Sequence, residues 1–170
     1  MPRNIEIKAR LDDIDALLPR VAALDARGPE LLQQDDTFFA CAAGRLKLRA
    51  FGPERGELIF YRRADSAGPK LSDYRIVPTA EPDALRAALA DAYGVSGRVR
   101  KLRTLYLAGR TRIHLDRVEG LGDFLELEVV LADGDSEADG VAEAHALLAH
   151  LGVGPERLLE GAYVDLLRAA

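Results

Sequence analysis

Cysteine is almost missing from this chain: Cys41 stands alone among 170 residues, so no internal disulfide can form. Long apolar runs are missing too. None approaches the ~20 residues that a membrane-spanning helix needs, so any barrel in the sequence is expected to be a soluble one. The first residues, MPRNIEIK, have neither the apolar stretch of a signal peptide nor the bias of a transit peptide. With the lone cysteine, this leads us to expect a cytoplasmic location. Basic excess is also absent. A net charge of -5 and a pI near 5.3 argue against a nucleic-acid surface, so any basic patch must be local. Neither a bilayer nor a nucleic acid is expected as a partner. There is no GxxxxGK[ST] loop and no serine or cysteine nucleophile signature, which removes the usual phosphate cradle at a helix N-terminus.

What is present is a chain that is 48% hydrophobic and 30% charged, the apolar content and size of one compact domain with a real core over residues 1–170. The stretch 65–69 and the one around Gly134 read as loops too short to divide it. Most of the charge sits in segments that alternate strictly, with charge on one face and aliphatic residues on the other, as the two-residue period of a strand demands. Ile5 and Ile7 oppose Asn4, Glu6 and Lys8; Leu46 and Leu48 oppose Arg45, Lys47 and Arg49. Leu58 and Phe60 oppose Glu57, Ile59, Tyr61 and Arg63, and Leu102 opposes Lys101 and Arg103. Ile113 and Leu115 oppose Arg112, His114 and Asp116; Leu125, Leu127 and Val129 oppose Glu126 and Glu128. Between the strands, helical spacing marks 12–24, shortened or kinked by Pro19, then 82–93 ending at Gly94, and a third helix from Ser136 to Gly152. The C-terminal stretch PERLLEGAYVDLLRA reads as helical pieces broken near Gly161. NIEIK and FLELE echo each other, each followed by a helix.

Any one charged strand face could be the solvated side of a sheet. Taken together the faces concentrate Lys, Arg, Asp and Glu where exposed strands ordinarily mix in Thr, Ser and Gln. If the sheet closes, they line an interior, where ions are tolerable only if they neutralise one another or a bound ligand and metal. Lys8, Arg45, Lys47, Arg49, Arg63, Lys101, Arg103 and Arg112 are candidate phosphate ligands, since arginine forks match phosphate oxygens. Glu6, Asp116, Glu126 and Glu128 are hard oxygen donors of the kind Mg²⁺ or Mn²⁺ accepts. Glu6, Lys8, Lys101 and Arg103 are the residues expected to act on the reacting group. His114 could accept a proton, although a member of an ion-pair network is the simpler role. Lys70 is read as a loop residue able to reach a tunnel mouth, Tyr61 and Tyr163 as packing groups, and Cys41 as an inert half-buried thiol.

The ordered motifs NIEIK, QDDTFF, GRLKLR, YRR, VRKLR and RIHLDRVEGLGDFLELE resemble the CYTH-domain family of triphosphate tunnel metalloenzymes, and the resemblance spans nearly the whole chain. It implies an α+β fold: an eight-stranded antiparallel β-barrel forming a tunnel, with helices packed on the outside, a divalent metal on the acidic side and a triphosphate gripped by basic residues. HLDRVEGLGDF, DTFF and GRLKLR look most like the bacterial class IV adenylate cyclase branch, which implies conversion of ATP to cyclic AMP and pyrophosphate. Related members hydrolyse thiamine or inorganic triphosphate, and a third reading is a polyphosphate- or nucleotide-binding module without turnover. One departure stands out. The first glutamate of the family's ExExK motif is Asn4 here, which can donate an oxygen but no charge. The outside of such a barrel often leaves surface for a homodimer.

Overall fold

The computed structural model describes residues 2–170. Eight strands close into a ring: β1 (Arg3–Leu11), β2 (Arg27–Phe39), β3 (Arg45–Gly52), β4 (Arg55–Arg63), β5 (Lys70–Thr79), β6 (Val95–Ala108), β7 (Thr111–Val118) and β8 (Gly122–Leu131). Their order around the ring is β1-β5-β4-β3-β2-β6-β7-β8, every pair is antiparallel, and β8 returns to β1. The echoing segments are neighbours, with Glu6 opposite Glu128 and Lys8 opposite Glu126. Four helices accompany the ring: α1 (Leu18–Ala22), α2 (Pro82–Tyr93), α3 (Glu137–Leu151) and α4 (Tyr163–Ala169).

The barrel is turned inside out relative to an ordinary core. Ile5, Ile7, Ile113, Leu115, Leu125, Leu127 and Val129 point outward from β1, β7 and β8, where Ile14, Leu17, Val21, Ala144, Leu148 and Leu151 of the α1 region and α3 cover them. The alternation therefore sends the charged set inward. The main apolar core lies between the barrel wall and the helices, not within the barrel. A second cluster sits at one end of the tunnel, where Phe38, Ile59, Tyr61, Val99 and Phe124 meet Ala162, Tyr163 and Val164 of the C-terminal segment. That segment is stitched on by the Ala9–Leu158 bridge and by the Leu159 N–H donating to the Lys8 carbonyl at 2.9 Å. Arg45 also holds it, gripping Asp165 through two hydrogen bonds of 2.9 and 2.7 Å. The tunnel is thus stoppered at this end.

The helix ends at 82, 93, 136 and 152 fall where sequence places them. Ser136 caps α3 by accepting from the amides of Ala138 and Asp139, and Gly152 closes it in the left-handed conformation with φ 71°. The helix expected over 12–24 shrinks to Leu18–Ala22. Proline is tolerated only in a first turn, so Pro19 sets the start of the helix rather than kinking it. Lys70, read from sequence as a loop residue, instead opens β5 and is buried. Among the described residues no helix is long and apolar enough to cross a membrane.

Because Leu127 is fully buried between the wall and the helices, Leu127→Ala should cost about 2 to 5 kcal/mol of stability. Urea denaturation at neutral pH checks this, and a loss well under ~1 kcal/mol would place the core elsewhere.

Candidate functional site

The closed ring encloses a cavity of about 320 Å³. Asn4, Glu6 and Lys8 enter it from β1, Lys47 and Arg49 from β3, Arg63 from β4, Lys101 and Arg103 from β6, Arg112 and His114 from β7, and Glu126 and Glu128 from β8. Every one follows from strand alternation once the aliphatic face is taken by the helices.

The lining divides into two regions. On one side Asp36 of β2 gathers three cations: Arg49 donates to it from Nε and Nη2 at 2.8 Å each, Lys47 Nζ at 2.9 Å and Lys101 Nζ at 3.2 Å. Arg103 then forks onto Asp116 with two bonds of 2.7 Å, and the Tyr163 hydroxyl donates to the same carboxylate at 2.8 Å. On the other side, Glu126 and Glu128 lie beside His114, whose Nδ1 is 3.2 Å from Glu126 Oε1. One ligand atom from each of these three residues falls within 4.8 Å of the others. Lys8 Nζ stands 3.2 Å from Glu126, Arg112 donates to Glu128 at 2.8 Å, and Arg63 donates to Glu6 at 2.7 Å.

Burial makes the electrostatics strong. It raises Glu126, but Lys8, the His114 hydrogen bond and Arg103 outweigh it and hold the carboxyl well below its usual range. Glu6 moves the other way, because burial, with added repulsion from Glu128 and Glu126, exceeds what Arg63 supplies. Burial, and next the Arg49 guanidinium, push the Lys47 ammonium down to about 8 against the pull of Asp36. Lys101 is lowered well below its ordinary value, again chiefly by burial.

The placement of the sequence-derived candidates is uneven. Lys8, Lys47, Arg49, Arg63, Lys101, Arg103 and Arg112 share the cavity, as do Glu6, Glu126 and Glu128. Arg45 does not line it and is spent on Asp165 at the stoppered end. Asp116 is turned to Arg103 and Tyr163, away from the cluster formed by Glu126, Glu128 and His114. Asp36 has no role assigned from sequence, although the inward series Glu30, Leu32, Gln34, Asp36, Phe38 carries its strand register. Four buried side-chain atoms among the described residues lack a hydrogen-bond partner: Asn4 Oδ1, Gln34 Oε1, Arg63 Nε and Ser72 Oγ. All four residues line the cavity. Buried polar groups are ordinarily satisfied, so these four atoms are left to solvent or to a polar ligand within the cavity.

The sequence profile of the CYTH domain matches residues 2–163. The adenylate cyclase CyaB of Aeromonas hydrophila is 26% identical over 175 residues, an alignment covering 96% of this chain and 87% of that protein. The PH1012 protein of Pyrococcus horikoshii OT3 superposes with a TM-score of 0.86 at 21% identity, covering 96% of this chain and 98% of the other. HpAC1 of Hippeastrum, studied as an adenylyl cyclase and described as having a dominant triphosphatase activity, superposes with a TM-score of 0.69 at 15% identity over 99% and 96% of the two chains. At these identities the likeness to the two solved structures is one of fold.

Asp116 is held down to about 2 against an ordinary 3.8, since Arg103 overcomes the effect of burial. A depressed carboxyl contributes stability that is present above the ordinary value of 3.8 and lost as pH falls toward 2. Asp116→Asn leaves Arg103 short of a partner and should cost about 3 kcal/mol at neutral pH, with the gap to wild type closing as pH falls toward 2. Denaturant titrations at several pH values measure both; equal stability at neutral pH would contradict the assignment.

Proposed function

The chain belongs to the CYTH domain family, and from that membership and the divided lining of its tunnel we propose that residues 1–170 act as one domain that is a metal-dependent enzyme cleaving a triphosphate. The reading supported best is conversion of ATP to cyclic AMP and pyrophosphate, in keeping with the similarity to the Aeromonas cyclase. The observation that carries it is the basic group around Lys47, Arg49 and Lys101 facing, across one cavity, the cluster of Glu126, Glu128 and His114.

In this reading Lys47, Arg49, Lys101 and Arg103, with Arg63 and Arg112, hold phosphate oxygens, the arginines by their forks and the lysines as point charges. Glu126 and Glu128, joined by His114, are the residues whose donor atoms fit a divalent cation; Glu6 lies next to Glu128 across the β1–β8 pairing. Mg²⁺ or Mn²⁺ held there would lower the charge on the transferred phosphoryl group and steady the departing phosphates. Asp116 fits that role less well than it fits positioning Arg103, because both its oxygens are engaged. For cyclisation the ribose 3′-oxygen bonds to the α-phosphorus while the bond from that phosphorus to the bridging oxygen breaks, and pyrophosphate leaves. The hydroxyl proton passes to a base on the acidic side, a role that falls to Glu6, whose carboxyl is raised by burial and which lies opposite Glu128 across the β1–β8 pairing. Lys8 and Lys101, which flank Tyr163 at the stoppered end, are placed to meet the innermost phosphate. The protein supplies position and charge more than covalent chemistry.

The test is incubation of the purified protein with ATP, inorganic triphosphate or thiamine triphosphate and Mg²⁺ or Mn²⁺, followed by separation of products. Cyclic AMP and pyrophosphate from ATP are expected. Orthophosphate as the main product would replace the cyclase with a triphosphatase, and tight binding without turnover would leave only a binding module. EDTA should abolish activity, and Glu126→Ala should lower it by about a hundredfold or more at a temperature where a melting curve shows the variant folded, since Lys8 loses its partner. Lys47 is released from charge above about 8, and an anionic ligand favours its charged form, so triphosphate affinity should fall as pH rises through that value. Calorimetric titration on both sides of that pH reads this directly.

A further inference from the structure

Asp36 is almost fully buried, at 1% exposure, and it is the one carboxylate within bonding reach of Lys47, Arg49 and Lys101 among the described residues. The arrangement follows from the ladder. β2 runs between β3 and β6, Asp36 pairs directly with Arg49, and Lys101 pairs with Gln34 two residues along, so all three cations reach one inward side chain. Oδ2 accepts from Lys47, Lys101 and Arg49 Nη2, and Oδ1 accepts from Arg49 Nε. A phosphate group offers the same features in larger measure: a pair of oxygens for the arginine fork, further oxygens for ammonium groups, and more negative charge.

We infer that Asp36 is an internal counter-ligand, a carboxylate that occupies the phosphate fork of the tunnel and thereby sets how tightly a triphosphate binds. The inference rests on reading the tunnel as a triphosphate site. An ordinary buried ion pair matches one anion to one cation, whereas here three cations share one anion, which leaves positive charge in excess in a buried region. Burial lowers Lys47 and Lys101 first of all, and the neighbouring cations, Arg49 foremost, add to that lowering against the pull of Asp36. Asp36 therefore acts as a positioning residue with two opposed effects. It holds three long side chains extended toward the cavity before the ligand arrives, and afterwards its own charge opposes the incoming phosphates. Gln34, the neighbour on the same inward strand face, adds no compensation, since its buried Oε1 has no hydrogen-bond partner.

The test compares inorganic tripolyphosphate binding by wild type, Asp36→Asn and Asp36→Glu, using calorimetry and melting curves with and without ligand. Asparagine keeps the shape and removes the charge. Asp36→Asn is expected to bind tripolyphosphate about tenfold more tightly, which is about 1.4 kcal/mol, with a steeper dependence on salt. Its ligand-free melting temperature should fall by several degrees and recover on saturation with tripolyphosphate. Asp36→Glu, which restores the charge, should return toward wild-type affinity. A merely structural role predicts the reverse, because a collapsed basic region binds more weakly as it loses stability. If Asp36→Asn does not fold without ligand, the pair K47M and D36N/K47M reads the same quantity, and the double variant is expected to bind more tightly than K47M alone. Equal or weaker binding by the variants lacking Asp36 overturns the inference while wild-type binding leaves the proposed function standing. Wild-type protein that does not bind tripolyphosphate overturns both.

Discussion

An ion taken out of water must find a counter-ion or a dense set of hydrogen bonds, because leaving a buried charge bare costs several kcal/mol, a large share of the stability of a small domain. The inside of this barrel is governed by that constraint. Arg103 is matched by Asp116 and Glu126, Lys8 by Glu126, Arg63 by Glu6, and Arg112 by Glu128. Each pair spans neighbouring or nearby strands, so the side-chain order that neutralises the interior also ties the wall together. Where matching is incomplete, around Asp36 and at the unpartnered atoms of Asn4, Arg63 and Ser72, the protein leaves room for chemistry from outside.

Such an interior is a poor way to gain stability. Well-packed aliphatic side chains in place of buried ion pairs are often neutral or stabilising, and this fold keeps its aliphatic residues for the layer between wall and helices. Ile5, Ile7, Leu125 and Leu127 face α1 and α3, so the structural core and the ligand surface are opposite faces of the same strands. The separation lets the lining be specialised for charge while the outer face carries the burial that folds the chain.

The same division explains what can be read from sequence. Strands β1, β7 and β8 show clean alternation because helices cover their outer faces, and a covered face must be aliphatic. β2 and β5 escape the alternation pattern, and only the family resemblance supplies the full ring of eight. The outer face of β5 lacks such cover and that of β2 has it only near Thr37, beside Arg86 of α2: Leu31 on β2 and Val77 on β5 are exposed, and polar residues such as Gln33, Asp35 and Arg75 share those faces, so neither side of the strand is uniform. The inward candidates on β1, β3, β4, β6, β7 and β8 follow directly from period and charge. Arg45 and Asp116 cannot be separated from them by period alone, because the partners that claim them, Asp165 and Tyr163, arrive from the far end of the chain. Asp36 is hidden for a related reason. Its strand mixes Leu32, Gln34 and Phe38 on the inward face, and only the ladder brings Lys47 and Lys101 to it.

The C-terminal stopper has a bearing on traffic. With Tyr163 and Phe124 filling one end, the passage is a cul-de-sac, and a ligand that reaches its inner wall must retreat along the route by which it came. A departing anion shares that corridor with the next arrival, so emptying and refilling are sequential events, and the charges that draw an anion inward are the ones it must leave behind on its way out.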